Sequence, residues 1–350
     1  MAYSCTIEAD SVTKRGHRAT TMVITLPRIV LAEFNTHRDF SRNSASSRAI
    51  PAKKQLKALV EDTFVPEEFG TAVAGMNAGA PLEGKKLEKA IQTWGDAATS
   101  QVWYALSLTL SPDFVLRHWE KWQDEVNDDF NEFVLHLVNR LDNPKDSIHK
   151  LKTTLKTTKG LTNRLLEPFM WHTIIVTATE WDNFFNLRTD ENAQGEIRTI
   201  AKMMKESYDA STPKLLKEGE LHLPFIQKEE RKWAKKHPEL AVKAVTARCA
   251  RVSYLTHDRS IIDLEADFRT ADRLSRNGHM SPFEHALKPI PKDEWKTRMK
   301  MAKVAKQATH LPAHVVEQLV DRMEFSGNVR GFAQARRDQP NQRVFVAQAA

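Results

Sequence analysis

Polar and apolar positions alternate along the first thirty residues, with β-branched side chains at many of them, as in Thr21-Met22-Val23-Ile24-Thr25-Leu26. This two-residue period predicts strands. The apolar run Ile29-Val30-Leu31-Ala32 that follows reads as a buried strand or as the first turns of a helix. From Pro51 to about Gly84 the chain is mixed and rich in small residues. Beyond it, from Leu87 to about Leu141, apolar residues return at helical spacing, including Val115, Trp119, Trp122, Val126, Phe130, Phe133, Val134 and Leu137. Ser111-Pro112-Asp113 offers a helix start there and Asn143-Pro144 a stop. The largely apolar run from Thr173 through Phe185 is also expected to be helical. Residues 210–236 are rich in Lys and Glu, with Pro213 and Pro224, and read as a linker or peripheral excursion. One helix is expected from near Pro238 through the segment Ala247 to Tyr254, and another from about Ile261 to Arg276, capped by Ser260 and ended by Asn277-Gly278.

The apolar run at 29–32 delivers the chain's most concentrated set of polar groups. Residues 34–48 hold His37, three arginines, two asparagines and four serines. Arginine presents a rigid fork of N–H groups to phosphate or carboxylate, and serine and asparagine complete the shell, so an anion is the natural target. A solvated polar turn would have the same composition.

Composition narrows the class. With 350 residues and 41% hydrophobic content the chain can build a large core. No apolar run approaches the roughly 20 residues of a membrane helix, and the N-terminus lacks a signal-peptide pattern. The two cysteines, Cys5 and Cys249, provide neither a disulfide framework nor a cysteine zinc site, so a cytoplasmic location is expected. The net charge of +7 favours anionic partners without choosing among nucleotides and nucleic acids.

Two local patterns invite chemistry they do not support. Gly79 to Lys86 copies the spacing of a phosphate loop, but Lys86 stands where Ser or Thr must bind magnesium, and Pro81 interrupts the loop. His279, Glu284 and His285 suggest zinc, yet the histidines lie six apart around Pro282 and no third ligand is nominated, so no metal is assigned. The tail Phe325 to Arg337 is basic with interleaved aromatics. It reads either as a nucleic-acid-binding arm or as a Gly-punctuated turn that supplies arginines to a phosphate-rich ligand.

Three blocks together resemble the flavin-dependent thymidylate synthases. The first is His-Arg-x-x-Ser-x-Asn-x-x-Ser-x-Arg, filled by His37, Arg38, Ser41, Asn43, Ser46 and Arg48. Thr36, Ser44 and Ala49 stand where that family usually carries Arg, Glu and an aromatic. The second is Leu187-Arg188 followed by Ala193-Gln194-x-Glu196-Ile197, preceded by Arg164 and Pro168, with Thr179 and Asn192 replacing a usual Arg and His. The third is Gly278-His279-x-Ser281-Pro282-Phe283-Glu284-His285 after the Ala250-Arg251-Val252-Ser253-Tyr254 helix. In the family this third block comes first, so the resemblance implies a circularly permuted chain.

What the resemblance implies is an α+β fold, a mainly antiparallel sheet flanked by long helices. It implies a single catalytic domain over 1–350, with a helical insertion at about 85–160 and the flavin-binding block moved to about 238–290. The implied reaction is C5 methylation of dUMP, using methylenetetrahydrofolate, FAD and NADPH. His37, Arg38, Asn183, His279, Ser281 and Glu284 would contact the flavin. Ser41, Ser46, Arg48, Arg164 and Arg188 would bind the nucleotide, Arg188 also acting on the pyrimidine ring as the catalytic cation. A homo-oligomer, dimer or tetramer, without membrane or obligatory nucleic acid, is implied, and a viral origin would fit. The alternatives are a related enzyme that methylates or hydroxymethylates dUMP or dCMP, a non-catalytic basic nucleic-acid-binding protein, and a relative that kept the fold without catalysis.

Overall fold

The computed structural model describes residues 3–74, 78–109, 157–254, 263–307 and 310–340. Its centre is a five-stranded sheet. Strand β1 (Ser4–Val12) pairs antiparallel with β2 (Arg18–Pro27) through a tight turn in which Thr13 and His17 bond and Gly16 takes φ +88°. Strands β3 (Ser41–Ser44), β4 (Trp171–Ala178) and β5 (Lys214–Leu215) complete it in the order β3-β4-β2-β1-β5. Every pairing is antiparallel except the short β1–β5 edge.

The helices are α1 (Leu31–Asn35), α2 (Ala52–Glu61), α3 (Gly84–Thr109), α4 (Lys159–Leu166), α5 (Asp182–Arg188), α6 (Gly195–Ala210), α7 (Arg231–Lys236), α8 (Pro238–Ala250), α9 (Leu264–Arg276), α10 (Lys292–Lys306) and α11 (Ala313–Arg322). The architecture is therefore mixed α+β with an antiparallel-dominated sheet. The residues at 29–32 resolve into a short 3-10 turn leading into α1 rather than a strand. The apolar stripe from Val115 to Leu137, with its start at Ser111 and stop at Asn143, lies outside the described residues, as does Ser260.

Strand β4 corrects the helical expectation for 173–185. Thr173, Ile174, Ile175, Val176 and Thr177 are β-branched and stiff, and they suit a pleated surface better than a helix turn. Their burial is continuous because both faces of the sheet are covered. Ile174, Val176 and Ala178 join Met22, Ile24 and Leu26 against Phe34, Phe184, Ile197, Ile200 and Met204. Ile175 points the other way, into a cluster with Val245, Cys249, Val252, Ala286 and Ala335. A strand buried on both sides loses its alternation, which is why period alone misassigns it. Only Asp182–Arg188, at the end of the run, is helical.

Residues 210–236 keep their Lys and Glu side chains largely exposed, as expected of a peripheral excursion, but they also send individual residues into the core. Leu216 and Phe225 are buried, and His222 is fully buried, bridging to Leu287 through two backbone hydrogen bonds of 2.8 and 3.0 Å. Glu230 forms a bidentate pair with Arg248, both contacts 2.6 Å, while Arg248 Nε donates to Asp267 at 3.0 Å. The α9 helix is capped by Asp263, whose carboxylate accepts from Ala266 N at 2.9 Å, and it ends as expected at Asn277, with Gly278 at φ +71°.

The C-terminal part folds back onto the strands of the N-terminal part. Strand β6 (Leu287–Pro289) pairs with β9 (Phe332–Gln334), and β7 (Phe325–Ser326) with β8 (Val329–Arg330). Gln334 donates to Ser41 Oγ in β3 at 2.7 Å. His285 meets Thr177 of β4 at 2.8 Å, and the contact continues through Thr21 and His222 to Ser11 at 2.6, 2.8 and 3.1 Å. This buried polar line crosses three strands. It satisfies the threonine and serine hydroxyls, both nitrogens of His222 and Nδ1 of His285, groups that would otherwise carry a desolvation cost.

Candidate active site

Strand β3 carries the centre of the polar stretch. Its edge position leaves one side without a neighbouring strand, and its alternation turns Ser41 and Asn43 inward while Arg42 and Ser44 are half-buried. The loop after it is pinned from α4. Asn163 Nδ2 donates to the carbonyls of Ser47 and Ile50 at 2.8 and 2.9 Å, and Lys159 Nζ to that of Ala49 at 2.9 Å. This fixes Ser46, Ser47 and Arg48 beside the start of the 3-10 turn Glu167–Phe169.

The result is an open cavity of about 390 Å³ lined by Arg28, Arg42, Asn43, Ser44, Ala45, Ser46, Ser47, Arg48, Arg164, Glu167 and Ser281. Among the described residues four guanidinium groups and four serines face one small volume, with a single carboxylate. The arginines divide in role. Arg28 is committed to Glu167 at 3.1 Å and to the His172 ring at 2.8 Å. Arg42 Nη1 donates to the carbonyls of Phe34 and His37 at 3.3 and 3.2 Å. Arg48 and Arg164, both exposed, have no side-chain partner among the described residues. Asn43 Nδ2, at a residue 7% exposed, is a buried donor with no partner among the described residues. Unpaired cations and an unmet donor are what an anionic ligand would satisfy.

A second cluster adjoins it through Arg42. Arg188, the last residue of α5, donates from Nε to His37 Nε2 at 3.0 Å and from Nη2 to Thr36 Oγ1 at 3.1 Å. The imidazole packs edge-on to Phe184 at 4.9 Å and stacks on Phe40 at 5.7 Å. Burial first, then the Arg188 and Arg42 guanidinium groups, holds the His37 pKa below its ordinary value. Because Nε2 accepts from Arg188, that nitrogen is unprotonated and the ring is neutral.

The structure therefore unites Ser46, Arg48, Arg164 and Ser281 in one cavity and joins His37 to Arg188. Arg38, Asn183 and His279 are exposed at the surface, outside the cavity lining. Ser41 is buried and bonded to Asn328 and Gln334 instead of facing the cavity. Glu284 is bound by Arg336. Arg28, Ser47 and Glu167 are cavity residues that no motif nominated. Glu167 had a weak signal, its position between Arg164 and Pro168. Arg28, the first residue of the 3-10 turn after β2, had none.

The tail is punctuated by glycine turns, but its arginines are held by internal carboxylates, so they form neither a free basic arm nor a supply of cations to the cavity. Gly327 and Gly331 take φ +69° and +71°. Arg330 is held by Glu180, Asp321 and Glu324 at 3.1, 2.7 and 2.8 Å, and Arg337 by Glu294 at 2.8 Å. Arginines spent on internal carboxylates are not a free basic arm. Among the described residues no group of three or more His, Cys, Asp or Glu side chains could hold a metal ion, and no helix is long and apolar enough to cross a membrane.

Comparison with known proteins gives a family. The family model Thy1, thymidylate synthase complementing protein, matches residues 12–214, more than half of the chain. No curated protein matches it. Among solved structures, the chain is similar to a UMP/dUMP methylase PolB from Streptomyces cacaoi, bound with 5-Br dUMP, at 15% identity and a TM-score of 0.31. That likeness covers 55% of this chain and 67% of the other and is too loose to bear on fold or function.

Proposed function

The chain belongs to the thymidylate synthase complementing protein family, and we propose that it methylates C5 of dUMP with methylenetetrahydrofolate as carbon donor, FAD as electron carrier and NADPH as reductant. The observation that carries this reading is the convergence of Ser46, Arg48, Arg164 and Ser281, from three distant segments, on one cation-rich cavity with two unpaired guanidinium groups. A nucleotide phosphate meets Arg48, Arg164 and Ser46, with Asn43 Nδ2 as a further donor. The volume of about 390 Å³ suits a nucleotide-sized ligand.

Arg188 acts on the pyrimidine carbonyl edge and stabilises negative charge that develops on the ring, with neutral His37 holding its guanidinium in place. The chain offers donors that fit an anionic, π-rich cofactor. Ser281 opens on the cavity, and His37, Arg38, Asn183 and His279 present partly or fully exposed polar groups. Glu284 would reach the flavin only together with the Arg336 that binds it. A bound flavin would supply the electron transfer that no side chain can. Ser41, bonded within the protein, supports the site by fixing β3 to β9.

A rearranged motif order is part of the proposal. The family match ends at 214, and the Gly278 to His285 block lies beyond it. What supports the rearrangement is that this block nevertheless packs on β3 and β4, with Ser281 on the cavity and His285 on Thr177. Contacts are indifferent to where the chain is cut, provided the ends lie at the surface. A homo-oligomer, dimer or tetramer, and a cytoplasmic setting complete the reading.

The test is the visible spectrum of purified protein with FAD, followed by anaerobic NADPH, then dUMP or dCMP with methylenetetrahydrofolate, and mass analysis of the nucleotide. A flavin spectrum and a dUMP product heavier by one methyl group are expected. A hydroxymethyl product, or turnover of dCMP alone, would replace this reaction by its modified-base relative. Neither flavin binding nor product would overturn the reading.

A further inference from the structure

The cavity's single carboxylate is out of place if the cavity binds only an anion, since Glu167 would repel it. Its internal contacts account for half of the group. Glu167 Oε1 accepts from Ser47 Oγ at 2.5 Å and from Arg28 Nη2 at 3.1 Å. Oε2 has no partner among the described residues, although a carboxylate can accept about four hydrogen bonds. The side chain remains 26% exposed on the cavity wall. Arg28 offsets its charge, so the carboxylate can stand close to a phosphate.

We infer that Glu167 is a substrate-selecting residue that accepts a hydrogen bond at Oε2 from a sugar hydroxyl of a nucleotide whose phosphate is held by Arg48 and Arg164. The ligand class is thus a sugar phosphate, an anion with a donor a few ångströms from its charge. Carboxylates commonly read sugar hydroxyls in nucleotide sites. In a deoxynucleotide the donor nearest a 5′-phosphate is the 3′-hydroxyl. The inference rests on the nucleotide reading of the cavity.

The experiment compares dUMP with its 2′,3′-dideoxy analogue by equilibrium titration of the full chain, with inorganic phosphate as competitor. The wild type is expected to bind the dideoxy analogue roughly tenfold more weakly, the scale of a lost charge-assisted hydrogen bond. Glu167→Ala should reduce that ratio to near one, while Ser47→Ala, which removes one of the two internal partners of Oε1 and leaves Oε2 and the Arg28 contact in place, should keep it. If Glu167→Ala does not fold, as judged by circular dichroism, Glu167→Gln carries the test, and the ratio should fall to about threefold. A ratio unchanged by either Glu167 variant, with phosphate still competing, overturns the inference and leaves Glu167 as the structural partner of Arg28. Absence of both nucleotide and phosphate binding would instead sink the functional reading on which it stands.

Discussion

Arg188 and His37, 151 residues apart in sequence, are joined by a hydrogen bond of 3.0 Å from Nε to Nε2. The bond requires a neutral imidazole, and burial together with two nearby guanidinium groups keeps it neutral. His37 is therefore expected to titrate below the ordinary histidine value. In Arg188→Met, burial persists but one cation is gone, so the titration should move up toward the ordinary value without reaching it. NMR titration of the His37 ring measures both, and no upward movement would show that Arg188 does not set its protonation.

The side chains of Arg48 and Arg164 make no hydrogen bond or ion pair among the described residues. Arg48→Ala and Arg164→Ala should each weaken dUMP binding by about tenfold to a hundredfold, on the order of 1.5–3 kcal/mol for a hydrogen bond to a charged group. Their melting temperatures should match the wild type. Titration paired with thermal melting checks both halves, and a large stability loss would count against a purely ligand-directed role.

The polar line across the sheet makes a stability prediction. Thr177→Val keeps the shape of the strand but removes the hydroxyl between His285 Nδ1 and Thr21 Oγ1. His285 Nε2 already lacks a partner among the described residues. The variant leaves that ring with no hydrogen bond at all and should lose about 1–3 kcal/mol. Urea denaturation gives the value.

Three buried histidines set the acid limit. Burial pushes the pKa of His222 down to about 4 and those of His172 and His285 down to about 3. Each folded value is lower than the unfolded one, near 6.5. Between these values the unfolded chain binds more protons than the folded one. Their contribution to stability is therefore complete above about pH 6.5, falls as pH drops from there toward 3–4, and does not change further below that. Each histidine adds up to about 1.4 kcal/mol per pH unit to the slope in that window. Denaturant midpoints measured from pH 7.5 to 4.5 should decline steadily, and a flat profile would contradict the buried neutral rings.

Buried hydroxyls and imidazoles explain why some of this was hidden. Thr177 reads as one polar residue in a run expected to be helical, and His222 sits in a Lys/Glu-rich stretch that reads as solvated. Only the packing of α8 and the C-terminal strands over the second face of the sheet buries them and makes them partners. The same covering removed the alternation of β4 and made 173–178 look helical.

Local chemistry, by contrast, was legible from the sequence. The β1–β2 alternation, the Pro238 start, the Asn277-Gly278 stop and the density of arginines, serines and asparagine at 34–48 depend on neighbouring residues, whose spacing is fixed by the covalent chain. Three motif blocks were also readable in the sequence. What only the tertiary structure decided is which of their side chains share a volume. It put Ser46, Arg48, Arg164 and Ser281 around one cavity, withdrew Ser41 to Gln334, and added Arg28 and Glu167, neither of which any motif nominated. Proximity between residues more than a hundred positions apart is set by the pairing of β3 with β4 and by what packs upon them. Those are long-range contacts, and no local spacing encodes them.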